Sequence, residues 1–252
     1  MSALEERIRR VATARRLLVA LDFDGTLSPL VSDPMAARAT PDAARAVERL
    51  AGLDGVTVAM VSGRSLRDLR VIAEHRDDSS IWLVGSHGSE RWTPSGGFEG
   101  ASSDPRAGTV VRRAEELVAG FEGAWIEDKS FGLALHTRTS PNDVEPQAQA
   151  ALDALMADIA PEWRRREGKH VLEFSWRHEG KDTAITLLRR ETSADSVIFA
   201  GDDVTDEDAL RSLGDDDLGI RVGEGDTSAH TRVDDTIALV ELLELVADLR
   251  AT

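Results

Sequence analysis

The chain has no cysteine and carries far less positive than negative charge. Without cysteine among its 252 residues, disulfide bonds and thiolate chemistry are excluded. Its 30 lysines and arginines face 46 aspartates and glutamates, which gives a formal net charge of −16. Because such a charge repels phosphate backbones and anionic lipids, we expect neither a nucleic acid nor a membrane as partner.

Long apolar segments are also missing. No run approaches the roughly 18 residues that a membrane-spanning helix needs. Charged residues at Glu5, Glu6, Arg9 and Arg10 interrupt the N-terminus before the apolar core of a signal peptide could form. We therefore expect a cytoplasmic protein, with a monomer as the default. Its composition, 41% hydrophobic and 30% charged, is that of a globular protein with ample material for a core.

Apolar strand patterns alternate with helical patterns at both ends of the chain. Strands are predicted at Leu17–Phe23, Thr57–Val61, Ile81–Val84, Val197–Ala200 and Gly219–Val222. Helices are predicted from Pro41 with Thr40 as cap, at Leu66–Glu74, near Thr183–Arg190 and Asp206–Ser212, and near Thr236–Leu249. Strands joined by helices predict an α/β core with a doubly wound parallel, Rossmann-like sheet.

The middle of the chain has a different order. From about residue 102 to 178 the patterns run helix, two strands, helix, two strands, which is typical of a small α+β layer with an antiparallel sheet. Thr93–Pro105, rich in Gly, Ser and Pro, is interpreted as the linker that leads into it. The predicted organisation is a core of residues 1–101 and 179–252 with residues 102–178 inserted.

Polar turns follow four of the predicted core strands. Asp22 and Asp24 follow the first, "VSGR" (Val61–Arg64) the second, "GSHG" (Gly85–Gly88) the third, and "GDDVTDED" (Gly201–Asp208) the fourth. Open α/β sheets bind ligands at the carboxyl ends of their strands, so these turns are expected to form one site.

Together these residues suit phosphoryl chemistry. Asp22, Asp24 and Asp202 offer the hard oxygen ligands that Mg²⁺ prefers. Ser62 with neighbouring backbone N–H groups can hold a phosphate, and Lys181 can neutralise its charge. Asp22 is then the candidate nucleophile, and Asp24 the candidate acid and base that protonates the leaving oxygen and activates water.

Each feature also has a simpler interpretation. An isolated D-x-D occurs as a glycosyltransferase metal pair or as a turn, although its spacing fails as an EF-hand. "SGR" alone indicates a turn and helix cap, and Lys181 alone a solvated helix residue. The acidic run Asp206–Asp208 complements a helix dipole, and His87 can be a packed histidine. The ordered set is what favours phosphoryl transfer.

The ordered set D-x-D-G-T, S-G-R, a later lysine and G-D-D-x-x-D-E-D resembles the haloacid dehalogenase superfamily of Mg²⁺-dependent phosphatases. Within it, "LDFDGTLSPL", "VSGR", "GSHG", "EDKSFGLALHTR", "GKHVLEFS" and "GDDVTDEDA" are similar to the trehalose-6-phosphate phosphatase family. The resemblance implies Asp22 as nucleophile, Asp24 as acid/base, Ser62 and Lys181 as phosphate binders, and Mg²⁺ held by Asp22, Asp24 and Asp202, with Asp203 and Asp206 close by.

The same resemblance makes the insertion a substrate-specificity cap. The implied sugar-phosphate binding residues are Ser62, Gly63, Arg64, His87, Glu127, Lys129, His136, Arg138 and Glu173. Without the resemblance, Glu127, Lys129, His136 and Arg138 indicate an exposed strand face with cross-strand ion pairs. The chain departs from the usual pattern at Thr137, where many relatives have an aromatic residue, at Ser175–Trp176, where many have Arg-Pro, and at Asp182, where glycine usually follows the lysine.

The resulting hypothesis is hydrolysis of trehalose 6-phosphate to trehalose and phosphate. The nearest alternative is the same chemistry on another glycosyl phosphate, such as a sucrose phosphate or a pseudo-disaccharide phosphate. A receiver-like regulatory module also joins a phospho-accepting Asp to an acidic cluster and a Lys, but it needs neither Asp24 nor an insertion. A non-catalytic sugar-phosphate sensor is the third possibility.

Overall fold

The computed structural model describes residues 3–100, 104–177 and 180–251. They fall into two compact units, Met1–Gly100 with Glu179–Thr252, and Ala101–His178. The boundaries predicted from the sequence, at 101/102 and 178/179, lie outside the described residues. Each unit has its own hydrophobic core and is described by itself.

The elements follow one another along the chain in three groups. The first is α1 (Ala3–Thr13), β1 (Leu17–Leu21), α2 (Pro41–Ala51), β2 (Val56–Val61), α3 (Leu66–Ile72), β3 (Trp82–Gly85), β4 (Glu90–Thr93) and β5 (Gly97–Gly100). The second is α4 (Ala107–Val118), β6 (Trp125–Lys129), β7 (Gly132–His136), α5 (Val144–Ile159), β8 (Arg164–Gly168) and β9 (Val171–Ser175). The third is α6 (Lys181–Thr192), β10 (Ser196–Gly201), α7 (Asp206–Ser212), β11 (Leu218–Val222), β12 (Thr231–Val233) and α8 (Thr236–Arg250).

The first unit is built on a sheet whose order in the described residues is β12-β11-β10-β1-β2-β3-β4-β5. The central strand β1 pairs in parallel with β10 and with β2, and each of its residues is buried. Successive side chains of a strand point to opposite faces. Accordingly Leu17, Val19 and Leu21 pack with α1, α2, α3 and α8, whereas Leu18 and Ala20 pack with α6 and α7. The predicted doubly wound α/β core is confirmed.

One edge of this sheet differs from the prediction. The predicted linker begins at Thr93, but Gly97–Gly100 is a strand that pairs antiparallel with β4, which itself pairs antiparallel with β3. The interpretation of these residues as linker was wrong, because glycines can also close a hairpin. Gly97 has a φ of +68°, and the hydroxyl of Thr93 accepts the N–H of Gly96 at 2.9 Å. The short strands β4 and β12 were not predicted either.

The second unit is an antiparallel sheet of order β6-β7-β9-β8 with α4 and α5 on one face. Its core contains Ala114, Leu133, Leu135, Leu152 and Phe174, among others. The predicted helix Val144–Ile159 has those bounds in the structure. Because strand side chains alternate, Glu127 and Lys129 of β6, His136 of β7 and Glu173 of β9 share the opposite face, together with the small apolar Ala134.

In the described part of the chain, no helix combines the length and the apolar character that crossing a bilayer requires.

Candidate active site

The C-terminal end of β1 leads directly into the acidic turn. Asp22 donates its backbone N–H to the carbonyl of Ala200 at 2.9 Å, and the residue is only 5% exposed. Gly25 follows with a φ of +79°. A Cβ at Gly25 would lie 2.0 Å from Oδ2 of Asp202. Only glycine allows the turn after β1 to approach the turn after β10 this closely.

Three carboxylates meet at this edge of the sheet. Asp22, Asp202 and Asp206 each place an oxygen within 4.8 Å of the others, which makes them a candidate metal group. Lys181, at the start of α6 and 3% exposed, donates from Nζ to Oδ1 of Asp22 at 2.6 Å and to Oδ1 of Asp206 at 2.5 Å. The carboxylates of Asp22, just after β1, and of Asp206, at the start of α7, are thus joined through one lysine.

The charges of this group are unbalanced. Burial raises the pKa of Asp22 well above its usual value, and repulsion by Asp206 and Asp202 adds to this, while Lys181 opposes it. Burial, then the charge of Asp206, raises the pKa of Asp202 to about 6. Burial lowers the pKa of Lys181, but Asp22 and Asp206 outweigh it, so the pKa rises. One ammonium among three carboxylates leaves negative charge that a cation can balance.

Asp24 has a different partner. Arg64 donates from Nε to Oδ2 and from Nη2 to Oδ1 of Asp24, both at 2.6 Å. This bidentate pair fixes the carboxylate in one orientation. The candidate metal group in the described residues therefore includes Asp206 in addition to the predicted Asp22 and Asp202, whereas the predicted metal contact of Asp24 stays a prediction.

The turn after β2 approaches the turn after β3. Ser62, 2% exposed, donates its backbone N–H to Val84 O at 2.9 Å, and its hydroxyl accepts the N–H of Arg64 at 3.1 Å. A Cβ on Gly63 would lie 2.6 Å from Cε1 of His87, so the imidazole ring lies against this glycine. His87 has a φ of +56°, an uncommon conformation for a residue with a side chain. Ser62, Gly63 and His87 are thus brought together, as predicted.

Sequence reasoning missed Glu90, which joins these two turns. Its Oε2 accepts the backbone N–H of Leu66, at the start of α3, at 2.9 Å, and the hydroxyl of Ser86 at 2.6 Å. Glu90 lies on β4, a strand too short to be recognised from its pattern. No motif in the sequence marked it.

The polar face of the second unit brings together four of its five predicted residues. His136 Nε2 lies 2.8 Å from Oε2 of Glu127, and Lys129 Nζ lies 3.4 Å from Oε2 of Glu127 and 3.2 Å from Oε1 of Glu173. The hydrogen bond from His136 is the main reason that the pKa of Glu127 is lowered. Arg138, beyond the end of β7, is exposed. These contacts are the cross-strand ion pairs that an exposed strand face is expected to form. They also place several hydrogen-bonding groups on one face.

Trp125 is an aromatic residue on this face that sequence reasoning did not single out. Its ring stacks on His136 with centroids 4.3 Å apart and an interplanar angle of 11°, yet Trp125 stays 51% exposed. Its position two residues before Glu127, on an alternating strand, is the signal that could have found it.

Comparisons with known proteins agree with this geometry. A sequence model of the family described as trehalose-phosphatase matches residues 20–237. The trehalose-phosphate phosphatase of Mycolicibacterium paratuberculosis is 33% identical over 253 residues, which cover 93% of this chain and 63% of that protein. The chain therefore spans less than two thirds of the length of this relative.

Solved structures share the fold. Trehalose-6-phosphate phosphatase of Aspergillus fumigatus superimposes with a TM-score of 0.76 at 23% identity, covering 97% of each chain. A haloacid dehalogenase-like hydrolase from B. subtilis has a TM-score of 0.61 at 14% identity, covering 90% of this chain and 98% of that one. These similarities confirm the fold expected from the motifs.

Proposed function

We propose that this chain, which belongs to the trehalose-phosphatase family, hydrolyses trehalose 6-phosphate to trehalose and inorganic phosphate. The observation that carries the proposal is the buried contact of Lys181 with Asp22 and Asp206. Asp202 belongs to the same group of carboxylates, and Asp24 follows Asp22 by two residues along the chain. A nucleophile, a phosphate-binding cation and a metal group are all needed at one point for phosphoryl transfer to a carboxylate.

Mg²⁺ fits the residues that are present. The group offers only carboxylate oxygens, which are hard ligands. Its three carboxylates carry more negative charge than the positive charge of Lys181 can balance. Asp22, Asp202 and Asp206 would hold the ion, with Asp24 as a further predicted ligand. When bound, the ion would lower the charge repulsion between the carboxylates and the phosphoryl oxygens.

The proposed reaction has two steps on Asp22. In the first, a carboxylate oxygen of Asp22 bonds to phosphorus, the bond to the sugar oxygen breaks, and Asp24 gives that oxygen a proton. In the second, Asp24 takes a proton from water, whose oxygen bonds to phosphorus, and the phosphate leaves Asp22 ionised again. Ser62 and Lys181 hold the phosphoryl oxygens throughout. Arg64 has to leave Asp24 before the first transfer, because its two hydrogen bonds occupy both oxygens of the carboxylate.

Sugar recognition is assigned to the second unit as a cap. Glu127, Lys129, His136 and Glu173 share a face with many donors and acceptors, which suits the hydroxyls of a disaccharide. Gly63 and His87 are proposed to bind the phosphate end, and Arg64 and Arg138 the sugar. A cap would exclude water from the reacting phosphorus.

A phosphate-release screen tests the proposal. Trehalose 6-phosphate, sucrose 6-phosphate, glucose 6-phosphate and p-nitrophenyl phosphate are compared, each with Mg²⁺ and with chelator. We expect the highest kcat/KM on trehalose 6-phosphate and no release with chelator. Comparable rates on all four would refute the sugar assignment, and a preference for another disaccharide phosphate would favour the nearest alternative.

A further inference from the structure

Arg221 is a buried cation that the proposed mechanism does not use. It lies on β11, the strand that pairs with β10 on the side away from β1, and it is 7% exposed. Its neighbour in the register is Gly201, the residue before Asp202. The guanidinium of Arg221 is therefore on the strand adjacent to the acidic turn.

Its hydrogen bonds join two loops. Nη1 donates to the backbone carbonyl of Asp203 at 2.9 Å, and Nη2 donates to the carbonyl of Glu224 at 3.0 Å. Nη1 also lies 3.5 Å from Oε1 of Glu207, whose Oε2 accepts the backbone N–H of Ser228 at 2.8 Å. Arg221 and Glu207 thereby connect the acidic turn to the loop after β11.

The bond to Asp203 acts next to two of the proposed metal ligands. The N–H of Asp203 donates to Oδ2 of Asp206 at 3.0 Å, so both its N–H and its C=O are fixed. The turn is tight, because a Cβ on Gly201 would lie 2.2 Å from Cγ of Asp206. A shift of the Asp203 backbone would therefore move the carboxylates of Asp202 and Asp206.

We propose that Arg221 is a positioning residue that holds Asp202 and Asp206 in place for a divalent cation. The proposal rests on the cation part of the proposed function. Three neighbouring carboxylates repel one another, so a turn that carries two of them opens unless its backbone is held. Arginine suits this task because its planar fork donates in several fixed directions, which lysine does not do.

The test is Mg²⁺ binding to the full chain by calorimetry, without any sugar phosphate. The variant is Arg221→Met combined with Glu207→Gln, which removes the pair without leaving one buried charge alone and keeps the net charge. The matched control is Arg189→Met with Asp217→Asn, because Arg189 also pairs with a buried aspartate but at the opposite end of β10, where Asp217 accepts the N–H of Val197.

We expect the Arg221 double variant to bind Mg²⁺ at least tenfold more weakly than the wild type and the control to bind within twofold. Thermal unfolding in chelator measures the stability that each pair contributes. If Arg221 had a purely structural role, its removal would lower this stability and leave the affinity for Mg²⁺ unchanged. Phosphate release by the Arg221 variant should recover as Mg²⁺ is raised, with an unchanged KM for substrate. Arg221→Lys should recover part of the affinity.

Wild-type affinity in the Arg221 double variant would overturn the proposal, as would a wild-type chain that binds no divalent cation. A weakened affinity with no turnover of trehalose 6-phosphate would leave the positioning role intact and refute only the assigned substrate. The two failures are therefore distinguishable.

Discussion

Asp22 lies where its charge is disfavoured. Its pKa is raised by burial and by repulsion from Asp206 and Asp202, and Lys181 offsets only part of this. The same surroundings exclude water from a nucleophile. The residue that we propose for the reaction is thus also a source of instability in the metal-free protein, a conflict expected at active sites.

Asp22→Asn tests this conflict. We expect phosphate release to fall by at least about a thousandfold, because the amide is a poor nucleophile. In chelator the melting temperature should rise, by about 2–4 °C for each kcal/mol gained, since a repelled charge is removed while Lys181 keeps Asp206 as partner. The measurements are phosphate release and thermal unfolding in chelator. A lower melting temperature in chelator would show that the Lys181 contact outweighs the repulsion.

Asp24→Asn distinguishes the phosphatase from a receiver-like module. The Asp24 carboxylate, held by Arg64, is proposed to move the proton in both steps. We expect turnover to fall by about 10²–10⁴-fold. Rapid quenching followed by mass spectrometry measures phosphorylated Asp22 in both proteins. Unchanged turnover in the variant, or a phosphoryl group that persists for minutes in the wild type, would favour the regulatory module.

At the scale of elements, His75 fixes the end of α3 to the strands beside it. His75 Nε2 lies 2.9 Å from the carbonyl of Ile81, just before β3, and the ring meets Trp92 of β4 edge-on with centroids 4.4 Å apart. Among the described residues, Nδ1 is buried without a hydrogen-bond partner. A second proton would therefore be placed where nothing accepts it.

Burial lowers the pKa of His75 below its usual 6.5, and the nearby charge of Arg70 adds to this, while the Ile81 bond and Asp77 oppose it. The stability from neutral His75 is thus fully present above about pH 6.5 and is lost as the pH falls towards the lower folded-state pKa. We expect the melting temperature of the wild type to fall relative to that of His75→Gln between pH 7.5 and 5.5. Saturating Mg²⁺ is added to both proteins, because the proposed ion would favour the ionised forms of Asp22 and Asp202. A constant difference would contradict the prediction.

The sequence predicted the elements that have strong patterns. Buried parallel strands such as β1 are continuous apolar runs, and α2 has a cap at Thr40 that accepts the N–H of Ala43. The hairpin of β4 and β5 was not predicted, because each strand has only four residues and the glycines of β5 are typical of a loop. Because of this hairpin, Glu90 on β4 accepts a hydrogen bond from the start of α3, a contact that depends on tertiary pairing.

At the scale of the molecule, the motifs predicted which strand ends meet but not how the charges divide among them. Asp22, Asp202 and Lys181 meet as predicted. Asp206, expected mainly to complement a helix dipole, joins them because the tight turn at Gly201 brings α7 back to β10. Arg64, expected to contact sugar, pairs with Asp24. Contacts between side chains that are far apart in the sequence depend on strand register and turn geometry, which the spacing of motifs does not reveal.

Specific binding of a cation should stabilise this chain differently from general screening of its net charge of −16. Any salt weakens repulsion among exposed carboxylates. Only an ion that fits the group of Asp22, Asp202 and Asp206 should stabilise the first unit beyond that effect. At 100 times its Kd, Mg²⁺ should add about 2.7 kcal/mol to the free energy of unfolding of that unit.

Thermal unfolding in Mg²⁺ is compared with unfolding in NaCl of equal ionic strength. Asp202→Asn should lose most of the additional shift, because it removes one ligand of the group. Asp158→Asn, an exposed change on α5 in the second unit, should keep it. Equal shifts in the two salts, or an undiminished shift in Asp202→Asn, would mean that Mg²⁺ acts on this protein through its net charge and not through a site.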